Sequence, residues 1–320
     1  MNIFTKLLFS GLKQPDSESP VFNVVALGVY GGLKESNLSS YIVKPVSGDD
    51  YVSLDSGTLV TGLNKSFENT PDKGADVLSN HIPAYLISHA HFDHFLGFVM
   101  AQPELHNQQA IMARQETMQE LLSHVFIWAV WGNFGDAGEE PHLNHQHYQS
   151  IPLLEWVPIP KTDMQVKAFP LSHGHETPST AFLLRFEQAY LLYFGDTGAD
   201  EIEETQTMQA IWKEVAPLVR KNQLRGIFLE CSFPEEQPSN RLFGHLKPSL
   251  YMKELSTLAN LVDPKHPEKA LKDLTVFVTH VKPTIEEQED SGQKILSTLQ
   301  SMNHLGIRFV LPEQGGHYVL

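Results

Sequence analysis

Apolar positions fall mostly into short, nearly unbroken runs, and several of these end in glycine, histidine or aspartate. Residues 22–28 (FNVVALG) form a β-rich run closed by a glycine turn. Residues 40–43 and 51–54 predict two more strands, separated by the turn-forming Ser47-Gly48-Asp49-Asp50. Residues 84–88 predict a short strand running directly into His89, with a helix from about Phe95. The stretch from Gln102 to Ile159 breaks the pattern. There Met118, Leu121, Leu122, Val125 and Phe126 recur at helical spacing and predict a helix over 115–131. A loop rich in Gly, Asn and His follows over 132–149, long enough for a functional lid. Phe126, Trp128, Trp131 and Phe134 are candidates to line a pocket for a flat ring, or equally to pack this stretch onto the body.

The β pattern then resumes, with strands predicted over 164–169, 181–186, 190–194, 226–229, 274–278 and 307–311. Helices are predicted over 201–215, from Pro248, and over 284–304. The second of these has proline in its first turn and Tyr251, Leu255, Leu258 and Val262 on one face. Hairpin-like groups of strands with helices between them predict an α/β (α+β) architecture of sheets covered by helices. No linker-like break divides the chain. Residues 22–320 are therefore expected to form one domain, with an N-terminal arm at 1–21 and an insertion at about 102–160.

Composition excludes some classes. The chain has 320 residues, 41% hydrophobic and 19% charged, as an ordinary globular protein has. Its formal net charge of −15 argues against a nucleic-acid partner, which needs a basic surface. One anionic ligand stays compatible, because bound divalent ions can reverse the local field. Cys231, the single cysteine, makes no internal disulfide and is expected as a small buried side chain rather than a nucleophile. No apolar run reaches the ~18 residues of a membrane-spanning helix. Lys6 and the short apolar patch after it lack the length and cleavage site of a secretory signal. A cytoplasmic location without membrane partners is expected, with periplasmic and secreted locations left open.

The chemistry concentrates at predicted strand ends. His89, His91, Asp93 and His94 occupy one six-residue run, and later strands end at His173, Asp196 and His280. His89 and His91 point the same way if extended, because strand side chains alternate. Asp93 and His94 then sit in the turn beyond and address a second ion. Imidazole with carboxylate suits Zn²⁺, and also Mn²⁺ or Fe²⁺. His175 competes with His173 for a ligand role, whereas His317 and the histidines of 142–147 are read as surface or lid residues. Gly31-Gly32 lacks a following Gly-Lys-Ser/Thr, so it is a turn bringing backbone to the site rather than a phosphate-binding loop. Asn37 and Ser39 hold that turn or meet substrate.

The run His89–Gly97, HAHFDHFLG, resembles the signature of the metallo-β-lactamase fold, and specifically of class II 3′,5′-cyclic-nucleotide phosphodiesterases. Leu54-Asp55-Ser56-Gly57, Leu171-Ser172-His173-Gly174, Phe194-Gly195-Asp196-Thr197-Gly198, Leu229-Glu230-Cys231-Ser232-Phe233, Leu242-Phe243-Gly244-His245 and Thr279-His280-Val281-Lys282-Pro283 are similar to that family in order. So is Trp131-Gly132-Asn133-Phe134, with Gly132 where the family has proline; Gln102-Pro103 departs from it. The resemblance implies an αββα four-layer sandwich with a helical and loop insertion over the active site. It implies two divalent ions, most simply Zn²⁺, with His89, His91 and His173 on one. Asp93, His94 and His280 hold the other, and Asp196 bridges. The implied reaction is hydrolysis of cAMP or cGMP to the 5′-monophosphate by a hydroxide activated at the two metals, with P–O3′ cleavage. By analogy with tRNA 3′-processing endonucleases of this fold, His245 protonates the leaving oxygen and Glu230 orients it. Asn37, Ser39, Asn133, Phe134 and Lys282 are candidate substrate contacts, and a homodimer is compatible with the pattern. The alternatives are another phosphodiesterase of this fold, such as a tRNA-processing enzyme, a β-lactamase or thioesterase, or a non-catalytic or redox metal protein. Redox members usually have Glu where His91 stands.

Overall fold

The unbroken apolar runs become strands buried on both faces. In the computed structural model, which describes residues 19–68, 73–174, 177–285 and 290–320, β1 (Phe22–Gly28) turns Val24 and Ala26 to one side and Val25 and Leu27 to the other, all fully buried. β2 (Ser40–Pro45), β3 (Val52–Leu54) and β4 (Ala84–Leu86) follow, then β5 (Gln109–Arg114) and β6 (Gln146–Ile151). With β14 (His317–Val319) these form a seven-stranded sheet in the order β14-β1-β2-β3-β4-β5-β6. The second sheet has the order β13-β12-β11-β10-β9-β8-β7. Its strands are β7 (Trp156–Pro158), β8 (Gln165–His173), β9 (Thr177–Phe186), β10 (Ala189–Phe194), β11 (Leu224–Glu230), β12 (Thr275–Thr279) and β13 (Arg308–Val310).

Three apolar layers bind four structural layers. Val24, Leu54, Leu191, Tyr193 and Phe228 meet between the two sheets. The outer face of the first sheet packs Val25, Leu27 and Tyr85 under α1 (Val60–Ser66), α2 (Gly74–Asn80), α3 (Phe92–Ala101) and α4 (Gln115–Glu120). α5 (Asp200–Glu203) is a single turn, and α8 (Pro267–Ala270) another. The outer face of the second sheet packs Leu192, Phe194, Ile227 and Leu229 under α6 (Thr207–Arg220), α7 (Pro248–Val262) and α9 (Ser291–Met302). Both faces are covered, which is why these strands read as continuous rather than alternating apolar runs. Phe228 stacks on Phe277 with centroids 4.2 Å apart, and burying such a ring contributes about 1.5–3 kcal/mol.

Strand direction places the chemistry. β10, β11 and β12 are parallel, so Asp196, Glu230 and His280 emerge from the same edge. β8 is antiparallel to β9, which is antiparallel to β10, so His173 arrives at that edge too. β3 and β4 are likewise parallel and deliver Asp55 and His89.

Several sequence expectations need correction. α3 begins at Phe92, not near Phe95, so Asp93 and His94 lie in its first turn rather than in a turn before it. Asp93 is favoured there by the helix dipole. The helix expected over 115–131 is α4 plus one π-helical turn, Leu121–Val125. It stops because buried Phe126 stacks against Tyr148, with centroids 5.4 Å apart. Residues 102–160 contain β5, β6 and β7 as well as the expected helix and loop. β6 (QHYQSI) is polar because it closes the sheet's edge. The helix over 201–215 is two helices broken at Glu204, whose φ is +54°.

Candidate active site

Four imidazoles are oriented by what their Nδ1 touches. His94 Nδ1 is 2.7 Å from Asp55 Oδ2, and His173 Nδ1 is 2.8 Å from the Gly244 carbonyl. Carboxylate and carbonyl oxygens only accept, so both protons sit on Nδ1. His89 Nδ1 meets Ser88 Oγ at 3.0 Å, and that hydroxyl donates onward to Asp55. His280 Nδ1 meets Ser232 Oγ at 3.0 Å, and that hydroxyl donates to Glu230. Each Nε2 is left as a lone pair, the arrangement that metal-ligating histidines use.

The lone pairs converge. Asp196 Oδ2 lies 3.7 Å from both His89 Nε2 and His173 Nε2. Its Oδ1 lies 3.3 Å from His94 Nε2, and the Nδ1 side of His280 approaches the same oxygen at 3.3 Å while its Nε2 faces Asp93 Oδ2 at 3.2 Å. His89, His91, His173 and Asp196 offer ligand atoms all within 4.8 Å of one another, and so do Asp93, His94 and His280. A third such set is Asp196, His245 and His280. One carboxylate thus faces two ligand groups, one with each oxygen.

These residues fit a divalent cation. His94 Nε2 and His280 Nε2 stand 3.1 Å apart, and His173 Nε2 and His91 Nδ1 3.3 Å apart. Acceptors so close repel unless a cation or proton lies between them. His89 Nε2 and Asp196 Oδ1 are buried without a hydrogen-bond partner, which is costly unless an ion satisfies them. The group is therefore able to hold metal. Burial pulls His89 well below its usual range, and burial with His173 takes His91 to about 4. His94 moves the other way: burial opposes its charge, but Asp196 and Asp55 outweigh it. Asp196 is held well below the carboxylate range despite burial, by His280, His94 and His245.

Glu230 and His245 pair beside the cluster, with Glu230 Oε1 2.7 Å from His245 Nδ1. Burial and then Asp196 push Glu230 up to about 7. Burial pulls His245 down to about 4, and the nearby Lys282 charge adds to it. Lys282 itself is anchored through its backbone N–H on the Ser232 carbonyl.

Glycines admit this crowding. A Cβ on Gly31 would come within 2.3 Å of the His280 ring, and Gly32 N–H donates to Asp93 Oδ2 at 3.0 Å.

The structure brings together all seven expected metal ligands and the Glu230–His245 pair. Most of the expected substrate contacts already have partners of their own. Asn37 accepts from the Val29 N–H, and Ser39 is buried with its hydroxyl 3.4 Å from Tyr193 Oη. Asn133 clasps its own loop, donating to Ala137 and Glu139 carbonyls and accepting from Gly135. Phe134 leans on His145, and Trp128 donates to the Pro141 carbonyl. His142 contacts Gly138, His147 pairs with Asp136, and His317, on β14, bonds the Ser66 carbonyl at the end of α1. His175 and nearly all of the 1–21 arm lie outside the described residues. Among the described residues no helix is long and apolar enough to cross a membrane.

Sequence reasoning gave no role to Asp55, Ser88, Tyr193 or Ser232. Asp55 Oδ2 accepts from His94, Ser88 and Tyr193 at once. Its signal was the strand end before Ser56-Gly57; Tyr193 had none. Asp55→Asn is expected to weaken divalent-ion affinity about 10–100-fold, because an amide cannot hold His94 Nδ1–H as a carboxylate does. Metal titration checks this; unchanged affinity would show that His94 needs no such anchor.

Comparison with solved structures places this geometry. Unliganded yeast PDE1 superposes with a TM-score of 0.82 at 22% identity, covering 94% of this chain and 99% of that one. The metallo-β-lactamase fold protein YhfI from Bacillus subtilis gives 0.62 at 14% identity, covering 94% and 100%. The chain has the metallo-β-lactamase fold, with the αββα layering expected. The family model for class-II cAMP phosphodiesterases matches residues 35–315, and the chain belongs to that family. A 3′,5′-cyclic-nucleotide phosphodiesterase of Aliivibrio fischeri is 36% identical over 312 residues, 93% of each chain. One from Schizosaccharomyces pombe is 28% identical over 332 residues, 93% of this chain and 92% of its own.

Proposed function

We propose that the protein hydrolyses 3′,5′-cyclic nucleotides, cAMP and cGMP, to nucleoside 5′-monophosphates by breaking P–O3′. Membership of the class-II family carries this reading. The two-sided contacts of Asp196 support a binuclear centre, with His89, His91 and His173 on one ion and Asp93, His94 and His280 on the other. Imidazole and carboxylate donors favour Zn²⁺. Divalent ions bound there supply charge neutralisation for the phosphate and lower the pKa of water from about 15.7 to about 7.

The chain's own groups do the rest. Lys282, whose backbone N–H is anchored on the Ser232 carbonyl two residues from Glu230, is the cation placed to meet the phosphate oxygens. Glu230 Oε1 holds His245 Nδ1–H, which leaves Nε2 to face the scissile bond. As P–O3′ breaks, His245 Nε2 gives its proton to O3′ and the water oxygen stays on phosphorus. The substrate's negative charge counters the burial that otherwise disfavours a protonated His245. A net charge of −15 suits a small diester better than a nucleic acid. We also propose that residues 22–320 act as one catalytic unit, supported by the apolar layer shared between the two sheets.

A product assay tests the reading. Purified, Zn²⁺-loaded protein is expected to convert cAMP to 5′-AMP alone and to lose that activity with chelator. Release of 3′-AMP, or full activity after metal removal, would sink it.

A further inference from the structure

Large apolar side chains left in water usually mark a surface that something covers. Two of the most exposed sit on the backbone that carries the candidate ligands. Phe92, 65% exposed, lies between His91 and Asp93, and Phe243, 72% exposed, precedes Gly244. Each adjoins a residue that touches His173. His91 Nδ1 is 3.3 Å from His173 Nε2, and His173 Nδ1 is 2.8 Å from the Gly244 carbonyl. Phe92 is also steadied, its ring resting 5.5 Å from that of buried Phe95.

Phe243 shows a second, independent sign. Its φ is +51°, in the left-handed region where a bulky side chain is strained. Gly244 follows at φ +77°, packed so closely that a Cβ there would come 2.1 Å from the Gly174 nitrogen. Glycine or asparagine at 243 would hold this turn with less strain. An exposed phenyl returns nothing through burial. Strain of this kind clusters at active sites and ligand clamps.

We infer that Phe243, together with Phe92, is a base-binding element that sets affinity for the purine of the substrate. The inference rests on the cyclic-nucleotide reading above. Any purine offers a flat apolar face, and stacking on an aromatic ring needs no hydrogen-bond code. The phosphate end lies at the ligand cluster and the base emerges towards the solvent-facing rings.

The test compares cAMP with ribose 3′,5′-cyclic phosphate, which has the same reacting bond and no base. For Phe243→Ala, the ratio of kcat/KM for cAMP to that for the base-free ester is expected to fall roughly 5- to 100-fold, mainly through KM. Phe243→Tyr, which keeps the ring, is expected to restore the ratio. Phe243→Gly is expected to lose the same discrimination while its thermal midpoint stays at or above that of the native chain. An unchanged ratio in Phe243→Ala overturns the inference, as does a lowered midpoint in Phe243→Gly. If the native chain hydrolyses both esters equally well, the phosphodiesterase reading stands and the base-binding role fails. If it hydrolyses neither, the reading itself fails and takes this role with it.

Discussion

Asp196→Ala is expected to remove both bound metal and cyclic-nucleotide turnover, with a loss well beyond the roughly 10–100-fold of a missing outer partner. The expectation follows from which atoms this carboxylate faces. Oδ2 lies 3.7 Å from His89 and His173, whereas Oδ1 lies 3.3 Å from His94 and His280. Deleting it strips an anionic donor from both ligand groups at once. It also leaves a buried nest of imidazoles without its central negative charge, and so unfavourable for any cation. Asp196→Asn separates the two sides. An amide keeps one accepting oxygen, so it serves one ion at a time. That variant is expected to retain about one equivalent of Zn²⁺ and little activity. Metal content by mass spectrometry, read beside steady-state rates, checks both. Two equivalents of metal with near-native turnover in Asp196→Ala would remove the bridging role.

The candidate metal ligands are legible because most of them sit where strands stop. His89, Asp196 and His280 each follow an apolar run that both sheet faces bury, and His173 closes the more alternating β8, so hydropathy locates the strand and the polar residue marks its end. Strands that break this rule were invisible. β6 alternates buried and exposed polar residues, and β5 is a few apolar residues in a polar stretch. The start of α3 was missed because Asp93 and His94 carry no apolar periodicity.

Substrate contacts were hardest, for a different reason. Whether Asn37 or Asn133 can meet a ligand depends on whether its polar atoms are already used, and tertiary structure decides that. Spacing also hides backbone conformation. Phe243 reads as one apolar residue among many until its positive φ and its exposure are seen together.

His245→Ala is expected to reduce cAMP hydrolysis by about 10²–10⁴-fold, the usual worth of a positioned general acid. The size of the loss does not by itself identify that role. His245 is also one of a triplet with Asp196 and His280 that could hold metal, and its ring stacks on His280 with centroids 5.4 Å apart. Leaving-group dependence separates the two. O3′ of ribose departs as a poorly stabilised alkoxide and gains much from a proton, whereas a nitrophenolate departs without one. A lost acid therefore spares an ester such as bis-p-nitrophenyl phosphate, while a lost ligand damages both reactions together. The expected result is a large fall with cAMP, a small one with the activated ester, and unchanged Zn²⁺ content. Glu230→Gln should follow the same pattern more weakly, because it keeps an accepting oxygen for His245 Nδ1–H but removes the charge that stabilises the imidazolium. Equal losses on both esters, or a fall in bound Zn²⁺, would move His245 from proton donor to metal ligand.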